Sequence, residues 1–423
     1  MMLVMSVMTV GCSAGGNGTD ELSAQAEASA VRPAAAVSDA SVPPTSSSTT
    51  STTGTTAAPT TTQAPLDPLN VFVSGSGSDD GWGTSESPFR SVAHALGAVA
   101  DGGTLWLGDG DFGPVEVRNR RQLAIAAYGG ATPTISGLGL DVGIGLLVVD
   151  SENITITGVD VTNSLAGVYI HRSSHVQFEA NRVFSTGQEA IAVQQNSTEI
   201  DIVNNEIFST GALGAPFSNF GEGIYIGSAA GMLDDGSRDN SSAVRIRSNI
   251  IHDVTAEAID IKPFAADVLV EANLIYDVDT ATSGAVVTSI GTYPTPDLGI
   301  VIQGNVIHSV NRTSSYRDGN GIVVSGPAEV YANVVYQTQH FGILVDRNTQ
   351  STEPSQVIIR NNVVRSAGVE AVGQHSDPAG LEIVIEDNST EADVISQLGD
   401  SFDVEAAQIE AQRLLDEVNR DLE

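Results

Sequence analysis

The chain has 423 residues, 41% of them hydrophobic and only 5% aromatic, enough apolar material for a sizeable core. Its formal charge of −34, from 52 Asp+Glu against 18 Lys+Arg, excludes the basic stripe that phosphate contacts require, so nucleic acid is not expected as a partner. A single cysteine excludes a disulfide framework and a cysteine-rich zinc site. With 43 glycines and apolar residues that are mostly Val and Ile, the composition points to many short strands and turns, an all-β protein.

Taken in chain order, an apolar run from Met1 to Val10 ends at Gly11-Cys12 and gives way to small polar residues. Residues 1–11 resemble a bacterial lipoprotein signal, which implies lipidation of Cys12 and an extracytoplasmic protein, cell-surface or secreted. The run is too short to span a bilayer, so membrane contact is expected through the N-terminal lipid anchor only. Residues 12–67 are mostly Ala, Ser, Thr, Pro and Gly with almost no large apolar side chains, including SSSTTSTTGTTAAPTTT from Ser46 to Thr62. Such a segment buries too little surface to offset its ordering entropy and reads as a disordered tether.

Residues 68–390 read as the folded body. Ser87–Val99, SPFRSVAHALGAV, opens on Ser-Pro and carries apolar residues at helical spacing, which predicts a short N-terminal capping helix. From Asp150 the sequence repeats. VQFEANRVFSTG, IDIVNNEIFSTG, VRIRSNIIHDV, VLVEANLIYDV, IVIQGNVIHSV, VYANVVYQT and VIIRNNVVRSA each pair alternating aliphatics with an Asn followed by x-Val/Ile. The asparagines are Asn181, Asn205, Asn249, Asn273, Asn305, Asn333 and Asn362. Between these units lies a second strand, AGVYIH, EAIAVQ, EGIYIG, EAIDIK, NGIVVS or FGILVD. One unit cannot bury its own apolar face, so stacked coils must supply the partner. At the C-terminal end, residues 391–423 place Ala411, Leu415, Val418 and Leu422 on one helical face, which predicts a second capping helix.

This repeat, from Asn70 to Asn388, resembles the right-handed parallel β-helix of the pectate-lyase-like superfamily. The resemblance implies that the asparagines form an inward ladder at one corner of the coil, and the chain is expected to be a monomer.

EAIDIKPF, Glu257 to Phe264, holds the one lysine of the chain. Strand alternation sends Ile259 and Ile261 inward and Asp260 and Lys262 outward on one face. Aligning coils puts Tyr169, Ala192, Tyr225 and Asp260 in one outer column and His171, Gln194, Gly227 and Lys262 in the next. Glu189, Glu222 and Glu257 stack just before the Ala/Gly of three successive coils. Carboxylates about 4.8 Å apart repel, so their pKa values should rise or a cation should neutralise them.

An ammonium can lose its proton where a guanidinium cannot, which makes Lys262 a candidate general base with Asp260, Glu257 and Glu222 around it. Those carboxylates raise its pKa, so base duty needs a neighbouring cation or desolvation. Gly221–Lys262 also resembles a region of secreted β-helix lyases in which a coil ends in Asp-x-Lys. The likeness to family 9 pectate lyases implies a lysine base and a calcium ion that neutralises the uronate carboxylate. The calcium aspartates of that family do not map residue by residue. The nearest substitute is DDGSRDN, where Asp234, Asp235 and Asp239 offer hard oxygen ligands for Ca2+. Tyr225 is a candidate sugar platform, and Arg317 and Arg347 are candidates to bind substrate carboxylates. The leading expectation is a surface-tethered lyase that cleaves an acidic polysaccharide. A non-catalytic glycan-binding or envelope protein and a glycoside hydrolase using a carboxylate pair stay open beside it.

Overall fold

The computed structural model describes residues 66–213, 220–280, 283–288, 298–312, 318–346, 355–374 and 381–389. Cys12, the tether through residue 65, Arg317, Arg347 and the segment carrying Ala411, Leu415, Val418 and Leu422 lie outside them. Among the described residues, no helix is long and apolar enough to cross a membrane.

Period-two alternation builds the strands. In Ser174–Glu179, Val176 and Phe178 are buried while His175 and Gln177 are exposed. The same positions recur one coil later, so Val176 lies opposite Ile154 on one side and Ile200 on the other, and the apolar columns merge into one core. Among the described residues the strands form three parallel sheets of 12, 10 and 10 strands, and successive coils contribute to each sheet in turn. This is a parallel β-helix.

The corner between the first and third sheets explains the asparagines. In each coil the residue before the Asn takes a left-handed conformation, as in Ala180 (φ 54°), Asn204 (φ 55°), Ser248 (φ 55°) and Ala272 (φ 53°), which turns the chain sharply. The Asn side chain then points inward. Asn273 Nδ2 donates to Asn305 Oδ1 at 2.9 Å and to the Ile246 carbonyl at 2.9 Å, while its own Oδ1 accepts from the Asn249 backbone N–H at 3.0 Å. The pattern runs from Asn181 to Asn388 and satisfies backbone groups that the turn removes from the sheet ladder. A second ladder, of serines, ties Ser151, Ser173, Ser197 and Ser241 by backbone N–H to hydroxyl bonds.

The N-terminal helix is Val92–Ala98, shorter than expected. Its N-cap is Ser91, whose hydroxyl accepts from His94 N–H, and not Ser87. The reason is that Phe89 is held in sheet pairing, its N–H donating to the Phe72 carbonyl at 2.9 Å, so the helix starts only after it. Val92 and Ala95 are buried in the common core.

The second sheet departs from simple alternation. In Ile191–Gln194, Ile224–Ile226 and Ile259–Ile261 every residue is buried, so the outer face is covered there as well as the inner one. Further along, Val287, Val323, Phe341 and Leu344 cluster on the outside of the same sheet.

Candidate active site

The strand register assembles the site. Tyr169, Ala192, Tyr225 and Asp260 are successive Cα partners across four coils. His171 pairs with Gln194, and Lys262 N–H donates to the Ile226 carbonyl at 2.8 Å, placing the lysine at the end of that line. Gly227 has φ +89°, and a Cβ there would stand 3.2 Å from Lys262 Cβ, so the glycine leaves the space that the lysine stem passes. The glutamate column forms because Ala190 N–H donates to the Glu222 carbonyl and Gly223 N–H to the Glu257 carbonyl, at 2.9 and 3.0 Å.

The outward face is not a solvated one. Glu222, Glu257 and Asp260 are only 5, 4 and 2% exposed, and Tyr225 is 6% exposed. Lys262 forms the accessible tip, its side chain 16% exposed, with Nζ 2.6 Å from Asp260 Oδ2 and 4.8 Å from the centre of the Tyr225 ring. One carboxylate oxygen from each of Glu222, Glu257 and Asp260 lies within 4.8 Å of the other two. Two oxygens in this group, Glu222 Oε2 and Asp260 Oδ1, are buried without a hydrogen-bond partner.

The electrostatics follow from that crowding. Burial pushes the Glu222 carboxyl well above the usual range, and Glu189 and Glu257 push it further. Burial works against the Lys262 ammonium, but Asp260, Tyr225, Glu257 and Glu222 outweigh it and hold the lysine well above its ordinary value. At the rim, burial takes His171 down to about 4, against the hydrogen bond it shares with Gln194 at 3.1 Å. Within the cluster the Lys262 ammonium is the cation that the carboxylates face, and burial favours the protonated form of Glu222.

The loop aspartates are not brought together. Asp239 is fully buried, and its two oxygens accept from Gln195 N–H, Asn196 N–H, Ser228 Oγ and both the N–H and hydroxyl of Ser241, at 2.6–3.1 Å. Burial works to raise its pKa, but bonds from Ser228, Asn196, Ser241 and Gln195 lower it on balance. Asp235 caps its own turn through Ser237, and Asp234 is exposed. Among the described residues the acidic group with metal-like spacing is Glu222, Glu257 and Asp260.

One feature of the outer surface escaped the sequence reading. Phe184, Phe208, His252, Tyr276, His308 and Tyr336 stack face to face on the third sheet, ring centres 4.8–5.3 Å apart. Each stands three residues after a ladder asparagine, so the column was present in the repeat alignment. Its ring faces are occupied by one another, which makes it a brace between coils and not a sugar platform.

The sequence matches the family described as "Right handed beta helix region" over residues 74–235 and 125–293. The chain belongs to this right-handed β-helix family. No curated protein sequence matches this β-helix. Among solved structures, an alginate lyase from Paenibacillus sp. str. FPU-7 is similar at 21% identity and a TM-score of 0.52, covering 68% of this chain and 95% of its own. A GH136 lacto-N-biosidase from Eubacterium ramulus is similar at 15% identity and a TM-score of 0.51, covering 76% of this chain and 67% of its own. At these identities the likeness is one of fold.

Proposed function

We propose that this β-helix is a polysaccharide lyase that cleaves an acidic glycan by β-elimination, with Lys262 as the base. The observation that carries the reading is the one lysine of the chain standing at the open edge of a buried carboxylate group, its Nζ 2.6 Å from Asp260. The fold does not choose this chemistry, since a similar scaffold serves an alginate lyase and a lacto-N-biosidase. The site does.

A glycan lying over Lys262 removes its last exposed surface. Drying the lysine disfavours its charged form, so the ammonium gives up its proton as water leaves and the amine is free. That amine takes the proton α to the uronate carboxylate. The bond from the β-carbon to the glycosidic oxygen breaks, a carbon–carbon double bond forms, and the new ammonium returns its proton to the departing oxygen. Tyr225 fixes the lysine tip from below, and Glu257 helps hold its position by charge. Arg317 and Arg347 are proposed to bind further uronate carboxylates. Asp234, Asp235 and Asp239 form no ligand group, so no step is assigned to a calcium ion in that loop.

One observation favours a second reading. Glu222, whose carboxyl is pushed well above the usual range by burial and by Glu189 and Glu257, faces other carboxylates and suits the general acid that a glycoside hydrolase requires. Incubation with a panel of polyuronates and neutral glycans separates the readings. A lyase yields ultraviolet-absorbing unsaturated ends, and a hydrolase yields reducing ends without that absorbance. Tight glycan binding with neither product assigns the chain to the binding class instead. We further propose that Cys12 is lipidated and that residues 12–67 hold the body away from the membrane. Detergent partitioning of the mature protein that is unchanged by Cys12→Ser would refute this.

A further inference from the structure

We infer that Glu222, Glu257 and Asp260 form a binding site for one hard divalent cation of the calcium type. The inference does not rest on the lyase chemistry, because it concerns what the cluster binds and not what it cleaves.

Three features point to an ion. The first is spacing. Two oxygens on opposite sides of a calcium ion, each about 2.4 Å from it, stand about 4.8 Å apart. The three carboxylates meet that limit, each offering an oxygen within 4.8 Å of the others. The second is the pair of orphaned atoms. Glu222 and Asp260 are each more than nine-tenths buried, yet Glu222 Oε2 and Asp260 Oδ1 have no hydrogen-bond partner. An unpaired buried polar atom costs about 1–3 kcal/mol and calls for an explanation, and a bound cation is one of the few available. The third is charge. Lys262 engages Asp260 through Oδ2 and leaves the other oxygen free, so one ammonium faces three carboxylates. A dication balances the remainder.

The donor set selects the ion. All three ligands are carboxylates, with no imidazole or thiolate in the group, which suits a hard cation over zinc or copper. With Asp260 Oδ2 held by Lys262, the three carboxylates offer up to five oxygens, and waters complete the six to eight that calcium takes. Magnesium demands a tighter octahedron and keeps its waters. The ligands also stand on or beside the strands Ile224–Ile226 and Ile259–Ile261, whose register fixes them. A cation here gives an otherwise acidic surface a positive centre beside Lys262, where a substrate carboxylate would arrive. It also occupies Glu222 and so competes with a general-acid role for that group.

The test is calorimetric titration of CaCl2 into the chelator-stripped full chain, with MgCl2 as comparison. One calcium per chain is expected, with magnesium weaker. Glu222→Gln and Glu257→Gln should each weaken binding by more than about tenfold. The double variant Asp234→Asn/Asp235→Asn should bind as the parent does. Absence of calcium binding by the parent, unchanged binding by both glutamate variants, or loss of binding in the loop variant would overturn the site. Terbium luminescence excited through tyrosine adds a readout on the unmodified chain. Tyr225, the Cα partner of Asp260, should sensitise emission that calcium displaces, and no displaceable emission also counts against the site. Calcium binding without lyase activity removes the lyase reading alone, and lyase activity without calcium binding removes this one alone.

Discussion

Replacing Glu222 by Gln changes one buried acid into a neutral group of the same shape. In the ion-free protein, burial and then Glu189 and Glu257 hold this carboxyl well above 4.5. The folded chain therefore keeps a proton that the unfolded chain releases, and stability is fully present below about pH 4.5 and declines as pH rises toward the folded pKa. The slope is at most about 1.4 kcal/mol per pH unit between the unfolded and folded pKa values. The sign is opposite to that of Asp239, whose depressed pKa makes its contribution disappear on acidification. Glu222→Gln has nothing to ionise, so with chelator present its melting temperature should hold where that of the parent falls, and the two curves should diverge steadily above pH 4.5. Thermal melts across pH 4.5–8 measure this. Parallel curves would mean that Glu222 is not forced to hold a proton by its surroundings.

Two further outcomes concern the scaffold and the base. Asn273→Ala removes the bonds to Ile246 and Asn249 and leaves a buried carbonyl and a buried N–H unpaired, so it should destabilise the chain by about 2–6 kcal/mol in urea titration. A loss under 1 kcal/mol would show that the asparagine ladder is not what holds that corner. Gly227→Ala forces a Cβ to within 3.2 Å of Lys262 Cβ at φ +89°, and should cut turnover more than about tenfold while costing only about 1–2 kcal/mol of stability. Unchanged turnover would mean that the lysine tip does not need its present position.

What the sequence disclosed depended on whether the information was periodic. The asparagine ladder and the column Tyr169, Ala192, Tyr225, Asp260 were legible because strand alternation and a repeated turn fix direction and register. The serine ladder and the aromatic stack lay in the same alignment, three residues before an inward aliphatic and three after each asparagine. Burial was not legible. Period two distinguishes inward from outward, but it does not say that the outward face at Ile259–Ile261 is covered. The loop aspartates misled for a related reason. Asp239 turns inward to accept from Gln195 and Asn196, 44 and 43 residues earlier in the chain, a pairing that local composition does not reveal. The cluster Glu222, Glu257 and Asp260 is half visible in the sequence, as a glutamate column, but its closure with Asp260 depends on how the side chains converge across coils.

The role proposed for Lys262 is to give up and take a proton, and Lys262→Arg separates that role from its charge. Arginine keeps the positive charge and a partner for Asp260, but its guanidinium does not deprotonate. With the fold checked by circular dichroism and the product followed by ultraviolet absorbance on whichever polyuronate the parent cleaves, the variant should retain its structure and lose about 10²–10⁴ in turnover. Parent-like turnover by the arginine variant would contradict the assignment of Lys262 as the base.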